Sequence, residues 1–167
     1  MKINIGCGDK KLAGYINVDL YGNPDLRCDL FKFPWPFEEG SIDEVFSEHF
    51  LEHVDDYEKT ILEIYRILKP GGMIHFKVPH FRSMAFPWHL HHYAFSTVTC
   101  RLLCEQRVYQ FEGKHLFEEV SLRYNYLGFT RPFFEKILSF CANKFQGKWE
   151  YLGLPIDEIE FKARKIC

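Results

Sequence analysis

The sequence lacks the features that mark several large function classes. It has six cysteines (Cys7, Cys28, Cys100, Cys104, Cys141 and Cys167), but none forms a C-x-x-C pair, which excludes zinc-ribbon and thioredoxin-type sites. No apolar run approaches the roughly 20 residues of a membrane span. The opening M-K-I-N-I-G-C-G has no signal-peptide core. Basic residues are not in excess: 21 Lys and Arg against 23 Asp and Glu leave a net charge of −2, which is not the footprint of a nucleic-acid binder. The one cationic cluster, Lys162, Arg164 and Lys165, shares an alternating stretch with Glu160 and reads as a solvated strand face. No repeat, low-complexity tract or linker is visible. These absences lead to the expectation of a cytoplasmic protein with reduced thiols and no nucleic-acid or membrane partner.

What is present suits one globular domain spanning residues 1–167. Apolar residues make up 47% and charged residues 26%, enough to build a buried core. Aromatics reach 17%, material for a core and for flat pockets.

Strand and helix signals alternate through the first half. Ile3 to Ile5 is a short apolar strand running into Gly6-Cys7-Gly8. Tyr15 to Leu20 reads as a second strand, and a third ends around Cys28-Asp29-Leu30. Phe33 to Phe37 (F-P-W-P-F) is a loop with an apolar underside, because Pro34 and Pro36 exclude a regular helix or central strand. Ser41 to Ser47 is a fourth strand. Asp55 or Asp56 caps a helix through Leu68, which Lys69-Pro70-Gly71-Gly72 stops before a fifth strand, Met73 to Val78. Later, Phe95 to Gln106 reads as a helix capped by Ser96, Glu119 to Tyr126 as a strand, Pro132 to Phe145 as a helix and Ile156 to Ile166 as a final strand. The pattern predicts a mostly parallel sheet with crossovers. The stretch from Gly8 to Tyr15 is too short for a helical crossover, so the first helix is vestigial or replaced by a loop.

In an open α/β sheet, ligands bind beyond the carboxyl ends of the strands. Gly6 and Gly8 end the first strand there, where missing side chains let a ligand approach the backbone. Asp19 ends the second, with two oxygens able to accept from both hydroxyls of a ribose. Asp29 ends the third, placed to accept from an exocyclic amine, and Ser47-Glu48-His49 ends the fourth at the mouth of the site.

With these groups in this order, Ile3 to His80 resembles the type 11 branch of class I S-adenosylmethionine-dependent methyltransferases. The segments that carry the resemblance are I-N-I-G-C-G-D, I-N-V-D-L, C-D-L with F-P-W-P-F, S-I-D-E-V-F-S-E-H-F-L-E-H-V and L-K-P-G-G-M-I-H-F-K-V-P-H. The resemblance implies a Rossmann-like α/β fold: a seven-stranded sheet of order 3-2-1-4-5-7-6, strand seven antiparallel, flanked by helices. It implies S-adenosylmethionine as cofactor, S-adenosylhomocysteine as product, and in-line methyl transfer to an oxygen or nitrogen of a small-molecule acceptor. The residues it assigns to the cofactor are Gly6, Cys7 and Gly8 under the methionine, Asp19 with Leu20 at the ribose, Asp29 with Leu30 at the adenine, and Ser47 with Glu48 near the amino group. Three positions depart from the pattern. Asn4 stands where an acidic residue often opens the Gly-rich motif, Lys10 replaces its third Gly, and the chain begins at the first strand without a covering segment.

Methyl transfer from a sulfonium depends mainly on alignment. A base is needed only when the acceptor carries a proton that must leave. The expected bases are His80 and His91, the latter ahead of Phe95-Ser96 in a loop with His89 and His92. The loop's aromatics (Phe81, Phe86, Trp88, Tyr93 and Phe95) suggest a flat or sugar-like acceptor. Ser47-Glu48-His49-Phe50 is not the N-P-P-aromatic motif of enzymes that act on planar nitrogens, which argues against DNA adenine and glutamine side chains.

The main alternative is a non-catalytic or partner-dependent binding subunit, favoured by Asn4 and the missing cover and opposed by the intact Asp19 and Asp29. Two other readings are weaker. His49-Phe50-Leu51-Glu52-His53 spells the H-x-x-E-H of inverted zinc peptidases, but that motif needs one helix bearing both histidines. The His89-His91-His92 cluster could bind a metal adventitiously, but no third-ligand spacing supports a dedicated site there. A nicotinamide fingerprint would need Gly where Lys11 stands. Aromatics from Trp149 to Leu154 offer a surface for a homodimer.

Overall fold

The computed structural model describes residues 1–83, 89–104, 115–125, 132–152 and 156–166. Seven strands form one sheet: β1 (Lys2–Ile5), β2 (Ile16–Asp19), β3 (Leu26–Arg27), β4 (Ile42–Glu48), β5 (Leu68–Pro79), β6 (Phe117–Asn125) and β7 (Glu158–Lys165). Their order is β3-β2-β1-β4-β5-β7-β6, with β7 antiparallel to both its neighbours and the other pairs parallel. The described helices are α1 (Tyr57–Ile67), α2 (Thr97–Arg101), α3 (Pro132–Lys144) and α4 (Gln146–Tyr151). None is long and apolar enough to cross a membrane.

Several boundaries differ from the sequence reading for local reasons. β3 stops at Arg27 because Asp29 turns the chain, accepting from the Phe31 N–H at 3.1 Å. Asp56 caps α1 by accepting from the Lys59 N–H at 3.0 Å. Lys69-Pro70-Gly71-Gly72 does not stop α1. The helix has already ended, and Leu68 pairs with Ile42 as the first residue of β5. The Pro-Gly-Gly turn makes an irregularity within that strand, with Gly71 at a φ of +74°. Ser96 forms a capping box with Thr99, but the α-helix it opens ends at Arg101 and continues as a 3₁₀ turn over Leu102–Cys104. The end of that expected helix at Gln106 and the expected strand end at Tyr126 lie outside the described residues. α4 is an element the sequence reading missed.

Residues 6–15 connect β1 to β2 with no helix. A polar network does the work instead. The Asn17 side chain accepts from the Leu12 N–H at 2.7 Å and from Asn4 Nδ2 at 2.9 Å, and it donates to Asp25 at 2.7 Å. Asn4 also donates to the Lys10 carbonyl at 3.2 Å. Both asparagines are buried, so the loop backbone finds its partners in side chains rather than in helix or water.

The sheet is covered unevenly. Ile3, Ile5, Val45, Ile74, Phe76, Val78, Ile159, Phe161 and Ala163 share one face and join Ile61, Ile64 and Ile67 of α1 and Cys100 of α2 in the core. Glu63 of α1 accepts from the Trp35 N–H and binds Arg66, seating the buried Trp35 of the F-P-W-P-F loop on this side. The alternate positions form a polar face, with Lys2 paired to Glu44 at 2.8 Å, His75 to Glu160 at 2.8 Å, and Lys10 to Glu48 at 3.2 Å. The expected flanking helices are therefore found on one side. Among the described residues, the groups meeting the polar face come from strands and the β1–β2 loop, around a cavity of about 500 Å³. α3 instead lies along the β6 edge, where the Asn143 amide pairs with the N–H and C=O of Tyr124.

Replacing Asn17 with Ala is expected to leave buried partners unpaired, at about 1–3 kcal/mol for each. Thermal denaturation should show a fall in melting temperature of roughly 5 °C or more.

Candidate functional site

The carboxyl ends of β1, β2 and β4 bring the sequence-selected groups to one edge. Both glycines of the first turn have left-handed backbone, φ +65° at Gly6 and +51° at Gly8, but for different reasons of space. A Cβ on Gly6 would lie 2.4 Å from the Phe50 ring, so this glycine admits a core aromatic rather than a ligand. A Cβ on Gly8 would meet nothing within 4 Å, so the open approach to backbone lies there. Asp19 braces that turn. One oxygen accepts from the Gly8 N–H at 2.8 Å and the other from the Tyr21 N–H at 3.0 Å, leaving further lone pairs on both. Leu20 is half-buried directly after it.

The other expected residues are placed less directly. The Cys7 side chain is buried, and burial pushes its thiol pKa up. Asp29 carries a salt bridge from Lys32 at 3.0 Å, which holds its carboxyl below the usual range. Leu30 buries its side chain in the core while its carbonyl accepts from the Trp35 indole at 3.1 Å; of this residue only the backbone remains for an adenine. Glu48 turns to the polar face and Lys10. Ser47, register partner of Ile5, has a buried hydroxyl with no hydrogen-bond partner among the described residues. The open space at Gly8, the braced Asp19 and the unpartnered Ser47 hydroxyl together fit the donor that the resemblance implies.

Sequence reasoning missed the most strongly coupled charges at this edge. His49, just past β4, has left-handed backbone at φ +54°, uncommon for a non-glycine residue. Its Nε2 meets Glu158 at 3.0 Å and its Nδ1 meets Glu52 at 3.2 Å. Both carboxylates are buried. Hydrogen bonds to Glu158 and then Glu52 raise the imidazole to about 9, against the opposing effect of burial. Burial also pushes Glu158 up, but His49, Asn125 and the nearby Lys77 outweigh it and hold that carboxyl low. Glu158 stands far along the chain from His49, so no local motif announces the pair. His49 lies outside the Leu51–His53 3₁₀ turn, so no single helix carries H-x-x-E-H.

The two expected bases are tied into other groups. His80 is fully buried. Its Nδ1 accepts from the Arg82 N–H at 3.1 Å, which puts the ring proton on Nε2, 3.2 Å from Glu150. Burial lowers its pKa, so it is a neutral anchor joining β5 to α4, with Thr97 and Tyr124 on the same carboxylate. His91 is half-buried with its ring edge-on to His53, centroids 4.9 Å apart. Of the loop aromatics, Phe95 is core, Tyr93 packs on Tyr57, and Phe86 and Trp88 lie outside the described residues. In the expected dimer surface, Trp149 is half-buried and Tyr151 and Leu152 are exposed, while Leu154 lies outside the described residues.

A His49 raised from 6.5 to about 9 contributes stability that is fully present below its unfolded pKa and is lost as pH rises through about 9. With the ring 33% exposed, the contribution is about 1–3 kcal/mol after screening. Melting temperature followed across that window should fall more steeply for the wild type than for His49→Gln. Equal slopes would show that the triad does not hold the extra proton.

Comparison with known proteins finds relatives by sequence over part of the chain and by fold over nearly all of it. A family profile described as "Methyltransferase domain" matches residues 18–76. Phosphoethanolamine N-methyltransferase 2 of Caenorhabditis elegans is 45% identical over 40 residues, a stretch covering 24% of this chain and 9% of that protein. In fold, an S-adenosylmethionine-dependent methyltransferase from Archaeoglobus fulgidus superposes with a TM-score of 0.65 at 15% identity, covering 98% of this chain and 85% of that one. Phosphoethanolamine N-methyltransferase 2 of Haemonchus contortus, in complex with S-adenosyl-L-methionine, gives 0.61 at 19% identity, covering 99% of this chain and 48% of that one.

Proposed function

We propose that this chain, which is similar to methyltransferases in sequence over residues 18–76 and in fold over nearly its whole length, is a class I S-adenosylmethionine-dependent methyltransferase that transfers the methyl group to an oxygen or nitrogen of a small-molecule acceptor. The observation that carries this reading is the pairing of Asp19 with the Gly8 turn, beneath open space at the carboxyl edge of the sheet. When bound, the donor supplies an electrophilic methyl on a sulfonium. The protein's part is to hold and orient. Asp19 has its position set by two backbone N–H groups and keeps lone pairs for the two ribose hydroxyls. The Gly8 turn accommodates the methionine part, and the Ser47 hydroxyl offers an unsatisfied polar contact near the amino group. The backbone at Asp29 and Leu30 borders the adenine.

No obligatory base is assigned. His80 is a buried neutral anchor, His91 is packed against His53, and His49 is held protonated. Rate enhancement then rests on alignment, for which about 7–11 kcal/mol is attainable. One observation favours a partner-dependent variant of this reading: the polar sheet face with its 500 Å³ cavity, in a fold class whose parallel sheets are ordinarily covered on both sides.

Calorimetric titration with S-adenosylmethionine and S-adenosylhomocysteine tests the site. Each hydrogen bond to a charged group is worth about 1.5–3 kcal/mol, so Asp19→Ala is expected to weaken binding by roughly a hundredfold or more. Gly8→Val, which fills the open approach, should also abolish binding. Wild-type protein that binds neither compound would overturn the enzyme reading. Binding with no turnover on any screened acceptor would favour the partner-dependent variant.

A further inference from the structure

The turn after β4 and the loop after β5 meet in a group the methyl-transfer reading does not use. Glu52, His53 and His91 each offer a ligand atom, and all three atoms lie within 4.8 Å of one another. Glu52 is fully buried, and its Oε2 has no hydrogen-bond partner among the described residues. An ionised carboxylate oxygen left in this way is costly unless a cation or donor reaches it. Its other oxygen is held by His49 at 3.2 Å, so Oε2 is the one available. His53 Nδ1 lies 3.0 Å from the Leu90 carbonyl, which can only accept. The ring proton therefore sits on Nδ1, and Nε2, 4.0 Å from the Oε1 of the Glu52 carboxylate, carries the lone pair. An imidazole whose far nitrogen donates to a carbonyl is the usual arrangement of a metal-ligating histidine. The third donor comes from a separate segment. The Glu52 carbonyl accepts from the N–H groups of His92 at 2.7 Å and Tyr93 at 3.4 Å, which lays the His91 loop along the turn.

We propose that Glu52, His53 and His91 form a binding site for a divalent transition-metal ion of the zinc class, fastening the loop after β5 to the carboxyl end of β4. Two imidazole nitrogens and one carboxylate oxygen suit Zn²⁺ over Mg²⁺ or Ca²⁺, which prefer all-oxygen sites. Three protein ligands leave a fourth position for water. Ligand distances of about 2.0–2.2 Å require donors about 3.3 Å apart, so from separations of up to 4.8 Å the side chains need to close by about 1.5 Å or less. The site does not depend on the methyl-transfer reading, and its readout is metal binding itself.

The test is calorimetric titration of the chelator-stripped full chain with Zn²⁺, paralleled by the visible spectrum with Co²⁺. One equivalent should bind and raise the melting temperature, with a Co²⁺ spectrum of low coordination number. Loss of a supporting contact alone costs about 10–100-fold in affinity, so His53→Ala and His91→Ala are each expected to lose at least that much. A His89→Ala/His92→Ala double variant should bind as the wild type does. Glu52→Gln should also lose binding; because it is buried, the two half-buried histidine variants keep the test decisive if it fails to fold. No binding to the wild type would overturn the site. Binding that survives His53→Ala and His91→Ala but disappears in the His89/His92 variant would also overturn it, as an adventitious surface contact.

Discussion

The hydrogen bonds of one buried amide carry the first crossover of this fold. Parallel neighbours need a connection that leaves one end of the sheet and returns to the other, and a helix normally satisfies its backbone on the way. Here residues 6–15 make the passage without one, and the Asn17 side chain with Asn4 supplies the missing partners for Leu12 and Lys10. Because the loop is held short, Gly8 returns to within hydrogen-bond reach of Asp19. The placement of the proposed donor site thus depends on a polar network beneath it.

Omitting that helix has a second consequence. The face it would cover carries ion pairs, Glu44 with Lys2 and Glu160 with His75, in place of apolar packing. Among the described residues, the main hydrophobic packing of the sheet lies on the opposite side, where α1 and α2 join Ile5, Val45, Phe76 and Phe161, while the polar face keeps one apolar contact, Phe46 against Tyr15. One-sided burial is normal for antiparallel sheets and unusual for a mostly parallel one. It explains why the strands alternate so regularly between apolar and polar residues.

Charge is concentrated at the carboxyl edge. His49 spans two buried carboxylates and holds the end of β4 against the start of β7. His80 performs a similar task one strand over, through Glu150 of α4. Both histidines anchor segments that border the site, so the edge is a fixed frame rather than a set of isolated titrating groups.

Much of this was legible from local sequence. The turn glycines, Asp19 at a strand end, the Asp56 and Ser96 caps and the alternation in M-I-H-F-K-V and E-I-E-F-K-A-R rest on backbone sterics and on periods of two and 3.6, which act over a few residues. Those signals, with the family resemblance, were enough for the strand order, and they point to the carboxyl edge at Gly8 and Asp19 as the proposed donor site. They also carried a trace of the one-sided sheet, in the polar half of that alternation. Other features depended on residues far apart in the chain. Gly6 makes room for Phe50, Leu30 turns inward, His49 finds Glu158, and His91 comes to rest beside Glu52 and His53. Each is decided by packing and by the pairing of buried charge, interactions that exist only once the strands have been brought together.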